Sequence, residues 1–195
     1  MAKNRNYTVP LRRKREQVTD YKKRLSLLVS KKPRLVVRRS LQNIIVQIVE
    51  YKPDGDHIIT TAQSYDLKKF GLPVVNGNIP CAYLTGVLIA KKAQEKGVSE
   101  VIVDFGLQYV TTHSRLYATI KGARDGGLKL NVDTKVLPSD SRTSGEHIQS
   151  FAKTIQSDKA RYEKQFSAYI KQNIKPEEMQ AVYTAVKEKI MATKK

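Results

Sequence analysis

Only one of the 195 residues is a cysteine, Cys81. That excludes an internal disulfide framework and any multi-cysteine zinc site, and it agrees with a reducing compartment. Long apolar runs are missing too, since no stretch approaches the roughly 18 consecutive apolar residues a spanning helix needs. The opening residues, MAKNRNY, lack the apolar core of a secretory signal, so the sequence reads as cytosolic or nuclear. Acidic residues are scarce: 18 against 36 Lys and Arg, a formal net charge of +18. Self-repulsion on that scale implies a polyanionic partner, either nucleic acid or an anionic membrane. Internal repeats and low-complexity tracts are absent as well. What is present, at 40% hydrophobic content, suffices for one sizeable core.

The charge is unevenly placed. Residues 1 to 40 carry 14 Lys/Arg and 2 Asp/Glu, a net +12; residues 41 to 137 carry 11 and 9, a net +2; residues 138 to 195 carry 11 and 7, a net +4. Two thirds of the excess therefore sits in the first fifth of the chain, the usual signature of an interaction arm. Within LRRKREQVTDYKKRL (11 to 25) and just beyond it, Leu11, Val18, Tyr21, Leu25 and Leu28 recur at helical spacing, and Pro10 suits a helix start. This predicts a partly helical arm with an apolar stripe, ended near Lys31-Lys32-Pro33 because proline disfavours helix in the residue before it.

Beyond the arm, RLVVRRS (34 to 40), NIIVQIVEY (43 to 51) and HIITTAQ (57 to 63) are rich in β-branched residues and read as strands. Between the last two, Pro53 presets one turn torsion and Gly55 accepts a positive one, which predicts an antiparallel hairpin. Asn78 as N-cap, Pro80 in the first turn, an apolar face through Ala82, Gly86, Ile89, Ala90 and Ala93, and Gly97 as stop define a helix. It leads into VIVDF (101 to 105), a short apolar run of buried-strand type expected to lie parallel to an earlier strand. A second helix is expected over SRLYATIKGARD, capped by Ser114 and ended by Gly126-Gly127. Residues 133 to 147 have the polar, turn-rich composition of a connector. After it come two amphipathic stretches, one with a stripe of Tyr162, Phe166 and Tyr169, the other with Met179, Val182, Val186 and Ile190 after Pro176 and Glu177-Glu178. The expected class is α/β: a mixed β-sheet, made of an antiparallel hairpin and a βαβ crossover, with packed helices. Residues 1 to 32 form the basic N-terminal arm, 33 to 132 the core domain, and 133 to 195 the connector and helical C-terminal extension.

Catalytic constellations are thin. His57, His113 and His147 lie far apart without metal-ligand spacing, and satisfied or solvated histidines are the better reading. Asp104-Phe105-Gly106 matches a kinase tripeptide but lacks the glycine-rich loop and catalytic sequence that give it meaning. Asp104 at a strand end is read as a structural acceptor for the following loop; an enzyme reading would make it one carboxylate of a metal-dependent, ribonuclease-H-like RNA-processing site and needs a second acid beside it. Cys81 has apolar helix neighbours and reads as packing. The glycines of GARDGG close a helix and so cannot cradle a phosphate in the dinucleotide-binding manner. No cofactor and no metal site is expected.

Nucleic-acid binding is better supported. Clustered cations reward backbone phosphates, and arginine adds a planar fork for phosphate oxygens or a guanine edge. They occur as Arg12-Arg13-Lys14-Arg15, Lys22-Lys23-Arg24 and Arg38-Arg39, while Tyr7 and Tyr21 are available to stack on unpaired bases. Contacts to about 8 phosphates would give log K against log salt a slope of about −6 to −7. A membrane-surface helix is the weaker use of the arm, because its stripe holds one tyrosine and few large apolar residues.

VPLRRKREQVTDYKKRL, RLVVRRSLQNIIVQI, AKKAQEKGVSEVIVDFG and SRLYATIKGARDGGL, in that order, resemble the large-subunit ribosomal protein eighteen family, the universal family that binds 5S ribosomal RNA. SGEHI and FSAYI in the C-terminal extension resemble its archaeal and eukaryotic branch, and the modest length its archaeal members. The resemblance implies a structural, non-catalytic ribosomal protein in the cytoplasm. Such a protein attaches 5S rRNA to the large subunit in the central protuberance and touches 23S rRNA and neighbouring ribosomal proteins, with no membrane role. Carried over by position, it implies RNA contacts from Arg5, Arg12, Arg13, Lys14, Arg15, Lys22, Lys23 and Arg24 of the arm, and from Arg38, Arg39, Ser40 and Asn43 at the first strand and turn. His113 and Arg115 match a His-x-Arg-like element. The loop from Gly106 to Thr112 departs from the glycine-rich, basic form of bacterial relatives.

Overall fold

A computed structural model of the chain describes residues 6 to 72 and 77 to 192. Arg5, one of the expected RNA contacts, lies outside the described residues.

The elements run α1 (Arg12–Arg15), α2 (Tyr21–Leu28), β1 (Arg34–Arg39), β2 (Ile44–Lys52), β3 (Gly55–Gln63), a 3-10 segment Ser64–Phe70, α3 (Ile79–Glu95), β4 (Ile102–Asp104) and α4 (Arg115–Asp125). They continue with α5 (Asp140–Ser144), α6 (Glu146–Ile155), α7 (Lys159–Gln165), α8 (Ser167–Ile170) and α9 (Met179–Ala192). The sheet order is β3-β2-β1-β4: β1/β2 and β2/β3 are antiparallel, and β4 lies parallel to β1. This is the expected mixed sheet. The β2/β3 hairpin turns at Pro53 to Gly55, where Gly55 has φ +149°.

Strand alternation sorts the sheet into two faces. Leu35, Val37, Ile44, Val46, Ile48 and Ala62 point into the core and are fully buried. Arg34, Val36 and Arg38 of β1 and Ile45, Gln47 and Val49 of β2 point the other way, toward the arm. The core face is covered by α3, whose N-cap Asn78 accepts from the Cys81 backbone N–H. Apolar residues ring α3 because the sheet, α4 and α9 all pack around it. Its seam with α4 is backbone-close: a Cβ on Gly86 would lie 2.0 Å from the Thr119 carbonyl oxygen, and one on Gly122 2.0 Å from that of Tyr83.

The arm is partly helical, as expected, and the connector departs from expectation. In the arm α1 ends after a single turn, Gln17 takes φ +54°, and Asp20 starts α2 afresh by accepting from the Lys22 and Lys23 backbone N–H groups. Its apolar stripe is largely open, with Leu11, Val18 and Leu25 at 60%, 51% and 65% exposure. The connector, in turn, is folded: α5 buries Thr143, and the buried Lys121 ammonium donates to the Pro138 carbonyl at 2.6 Å and pairs with Asp140. Both C-terminal stripes reach the common core. Phe166 and Tyr169 are buried with their rings edge to face at 5.8 Å, and Met179, Val186 and Ile190 are buried beside Tyr183. Among the described residues no helix is long and apolar enough to cross a membrane.

Candidate nucleic-acid interface

The site is built where the arm crosses the open face of the sheet. The Lys23 ammonium donates to the Gly106 carbonyl beyond β4 at 3.1 Å, and Arg24 Nη2 donates to Asp56 Oδ1 in the β2/β3 hairpin at 2.8 Å. These two anchors pin α2 across the sheet and leave a groove of about 580 Å³ between them. Arg13 Nε donates to Thr19 Oγ1 at 2.8 Å, folding α1 back toward the α2 cap.

Beneath α2 lies a chain of charges. Arg34, only 3% exposed, donates from Nη1 to Asp104 and from Nη2 to Asp56, at 2.8 and 2.7 Å. Asp104 also accepts the Gly106 backbone N–H through Oδ1 at 2.8 Å, and Arg38 sits 3.8 Å from the same oxygen. Burial pushes the Asp56 carboxyl up, but the hydrogen bonds from Arg24 and Arg34 outweigh it and hold the group below the usual carboxylate range. The Asp56 hydrogen bond raises the Arg24 guanidinium further against its partial burial. Arg34 is the residue that sequence reasoning passes over. Its signal is the period-two spacing of Arg34, Val36 and Arg38 on one face of β1, although its carboxylates lie 22 and 70 residues away in sequence.

The expected site residues thus divide in two. Arg12, Lys14, Arg15 and Lys22 are exposed, with Arg12 in a 3.6 Å contact to Glu16, and Arg39 is exposed while also donating to the Tyr109 carbonyl. Tyr7 is exposed at 48% and Tyr21 half-buried. Arg13, Lys23, Arg24 and Arg38 are engaged within the protein. Ser40 and Asn43 close the β1/β2 turn on each other: the Asn43 N–H donates to Ser40 Oγ and the Ser40 N–H to the Asn43 carbonyl. His113, at φ +56°, ties the loop after β4 to residues 136 and 137 through its backbone N–H and its ring Nδ1. Arg115 donates to the Gly77 carbonyl at 2.7 Å and to the Leu41 carbonyl at 3.4 Å. The arrangement can neutralise phosphates along a rigidly mounted, outward cation row. Asp104 accepts from Arg34 through one oxygen and from the Gly106 N–H through the other, the structural-acceptor role for the following loop.

A mixed α/β core that mounts a cation-rich arm over an open sheet face defines a polyanion-binding protein. Comparison with known sequences makes the class specific. A model of the family described as "Ribosomal large subunit proteins 60S L5, and 50S L18" matches residues 5–101. Large ribosomal subunit protein uL18 of Korarchaeum cryptofilum is 44% identical over 98% of this chain and 98% of its own length. That of Thermofilum pendens is 45% identical over 97% of each. The chain belongs to the uL18 family of large ribosomal subunit proteins. It is a constituent of the cytoplasmic ribosome.

Proposed function

We propose that this protein binds 5S rRNA and helps attach it to the large subunit in the central protuberance, as a structural component without catalysis. The observation that carries the reading is the division of the arm's cations: Lys23 and Arg24 fix α2 to the sheet with Lys22 exposed on it, and Arg13 ties α1 to Thr19 at the start of α2, while Arg12, Lys14 and Arg15 are exposed. Preorganised cations lose less freedom on binding than a loose tail would. In this reading the arm, residues 1 to 32 with Arg5, takes the phosphates while Tyr7 and Tyr21 stack. The core, 33 to 132, sets their register with Arg38, Arg39, Ser40, Asn43, His113 and Arg115. The protein as a whole touches 23S rRNA and neighbouring large-subunit proteins, and the extension, 133 to 195, packs on the core.

Filter binding of 5S rRNA and of tRNA at several salt concentrations tests it, with intact protein and with the variant R12A/R13A/K14A/R15A. The intact protein is expected to prefer 5S rRNA. The variant is expected to bind it with a shallower salt slope, by about 0.7 to 0.9 for each phosphate it no longer neutralises. Equal affinity for the two RNAs would overturn the 5S assignment, and an unchanged slope would overturn the role of α1.

A further inference from the structure

The largest exposed apolar side chains of the core gather at one end of the sheet. Leu41 in the β1/β2 turn is 94% exposed, and Tyr109 in the loop after β4 is 79% exposed. Their backbones are held firmly. The Arg39 N–H donates to Gln108 Oε1 at 3.3 Å, and Arg39 Nη2 to the Tyr109 carbonyl at 3.4 Å, tying the two loops together. Arg115 holds the Leu41 carbonyl, Lys23 holds the Gly106 carbonyl, and His113 fixes the far end of the loop. A single exposed apolar side chain is ordinary, but two on adjoining loops tied to each other and rimmed by cations make a surface suited to a partner. The side chains bracing this tip are cationic: Arg39, Arg115 and Lys23, with Arg38 alongside, donating to the Asp104 carbonyl at 3.0 Å. Asp104, whose carbonyl accepts from Arg38, has its carboxylate buried and paired with Arg34.

Resting on the RNA-binding reading above, we propose that this tip is a base-stacking site, in which the Tyr109 ring receives an unpaired RNA base and Arg39 engages the adjoining phosphate. The chemistry suits the parts. Any base has a π-face for a tyrosine ring, and RNA is recognised largely through unstacked bases laid on aromatic side chains. A guanidinium has five donors, of which the Tyr109 carbonyl takes one, so Arg39 keeps the remainder for a phosphate while still fixing the ring's backbone. A protein partner would meet a rim of positive charge around the apolar tip, and RNA supplies the complement to it. The loop's departure from a basic, glycine-rich form then has a use: it exchanges phosphate contacts for a base contact.

The test is 5S rRNA affinity across a salt series for intact protein, Tyr109→Ala, Tyr109→Phe and Arg39→Gln. Tyr109→Ala is expected to weaken binding roughly 5- to 150-fold with the salt slope unchanged, because a ring holds no phosphate. Tyr109→Phe is expected to bind within about twofold of the intact protein. Arg39→Gln is expected to weaken binding and make the slope shallower by about one phosphate. Full affinity in Tyr109→Ala, with intact protein still preferring 5S rRNA over tRNA, overturns the stacking site alone. So does a Tyr109→Ala protein that binds 5S rRNA normally yet enters large subunits poorly, since the ring would then be meeting a protein. If the intact protein shows no preference for 5S rRNA, the 5S reading and the site fall together.

Discussion

Arg34 and Asp104, 70 residues apart in sequence, meet at 2.8 Å on the open face of the sheet with side-chain exposures of only 4% and 9%. Arg34 reaches Asp56 as well, and Asp56 reaches Arg24 of the arm, so one buried guanidinium joins β4, the hairpin and α2. Removing one member of a buried pair strands the other's charge, which typically costs about 3 to 5 kcal/mol. Arg34→Met is therefore expected to lower unfolding free energy by about that amount. Urea denaturation with an unchanged m-value is the check, and a loss under about 1 kcal/mol would show that the network does not hold the sheet.

Acid should find the same network. Asp56 has its folded carboxyl held below the value of the unfolded chain, near 3.9. Its contribution is therefore fully present above that unfolded value and is lost as pH falls through the lower folded one. Intact protein is expected to be more stable than Asp56→Asn at pH 7, with the difference shrinking below about pH 4 as the native carboxyl protonates. Thermal unfolding of the two proteins across pH 2 to 7 measures it; a constant gap across that range would remove Asp56 from the acid response.

The seam between α3 and α4 should be intolerant of a single methyl. A Cβ on Gly86 would sit 2.0 Å from the Thr119 carbonyl oxygen, which is backbone and cannot swing aside. Overpacking usually costs about 1 to 3 kcal/mol, and contact with backbone puts Gly86→Ala at or above the top of that range. Gly97→Ala is the contrast: no atom lies within 4 Å of the added Cβ, so only the strain of φ +73° remains. Comparable losses in the two variants would argue against the seam.

Asp20 lies among cations yet serves them structurally, capping α2 through the Lys22 and Lys23 N–H groups at 3.0 and 3.1 Å. Asp20→Ala removes a negative charge, which alone would tighten RNA binding, and it also removes the cap, worth about 0.5 to 2 kcal/mol. Frayed α2 would misplace Lys22 and the Lys23 anchor. Weaker 5S rRNA binding with undiminished tRNA binding is the expected result in the filter assay. Tighter 5S binding would mean that charge outweighs positioning.

Much of this architecture can be read locally. Three β-branched runs mark β1, β2 and β3, and Pro53 and Gly55 mark the hairpin. Asn78, Pro80 and Gly97 bound α3 within two residues, since each acts through backbone groups close to it in sequence. The arm reads as partly helical, but where it breaks is not legible, because the stripe spans seven residues from Leu11 to Val18 and a period carried across that gap hides the turn at Gln17. Thr19-Asp20 before Tyr21 is an N-cap signal that marks the true start of α2. The connector's helix is hidden by its Ser, Thr and Asp, which favour caps and turns. Ser139 and Gly145 nonetheless bracket α5 as its N- and C-caps. The Arg34 network is not legible at all. Its partners are set by sheet order, and nothing in RLVVRRS announces that one of its three arginines is sealed inside.

Asn78 caps α3 with its oxygen and donates from its nitrogen to the Tyr183 hydroxyl, 105 residues later in sequence. For a chain emerging from amino to carboxyl end, this sets an order of events. The cationic arm appears long before Gly106 exists to receive Lys23, and the central helix is threaded into its core with one side bare until nearly the last residues arrive. A nascent copy therefore carries an unshielded polycation and an uncovered apolar flank at the same time, close to the RNA-rich surface on which it is being made. Completion of α9 closes the flank. The arm stays charged in the finished protein, so the two exposures coincide only in the interval before closure.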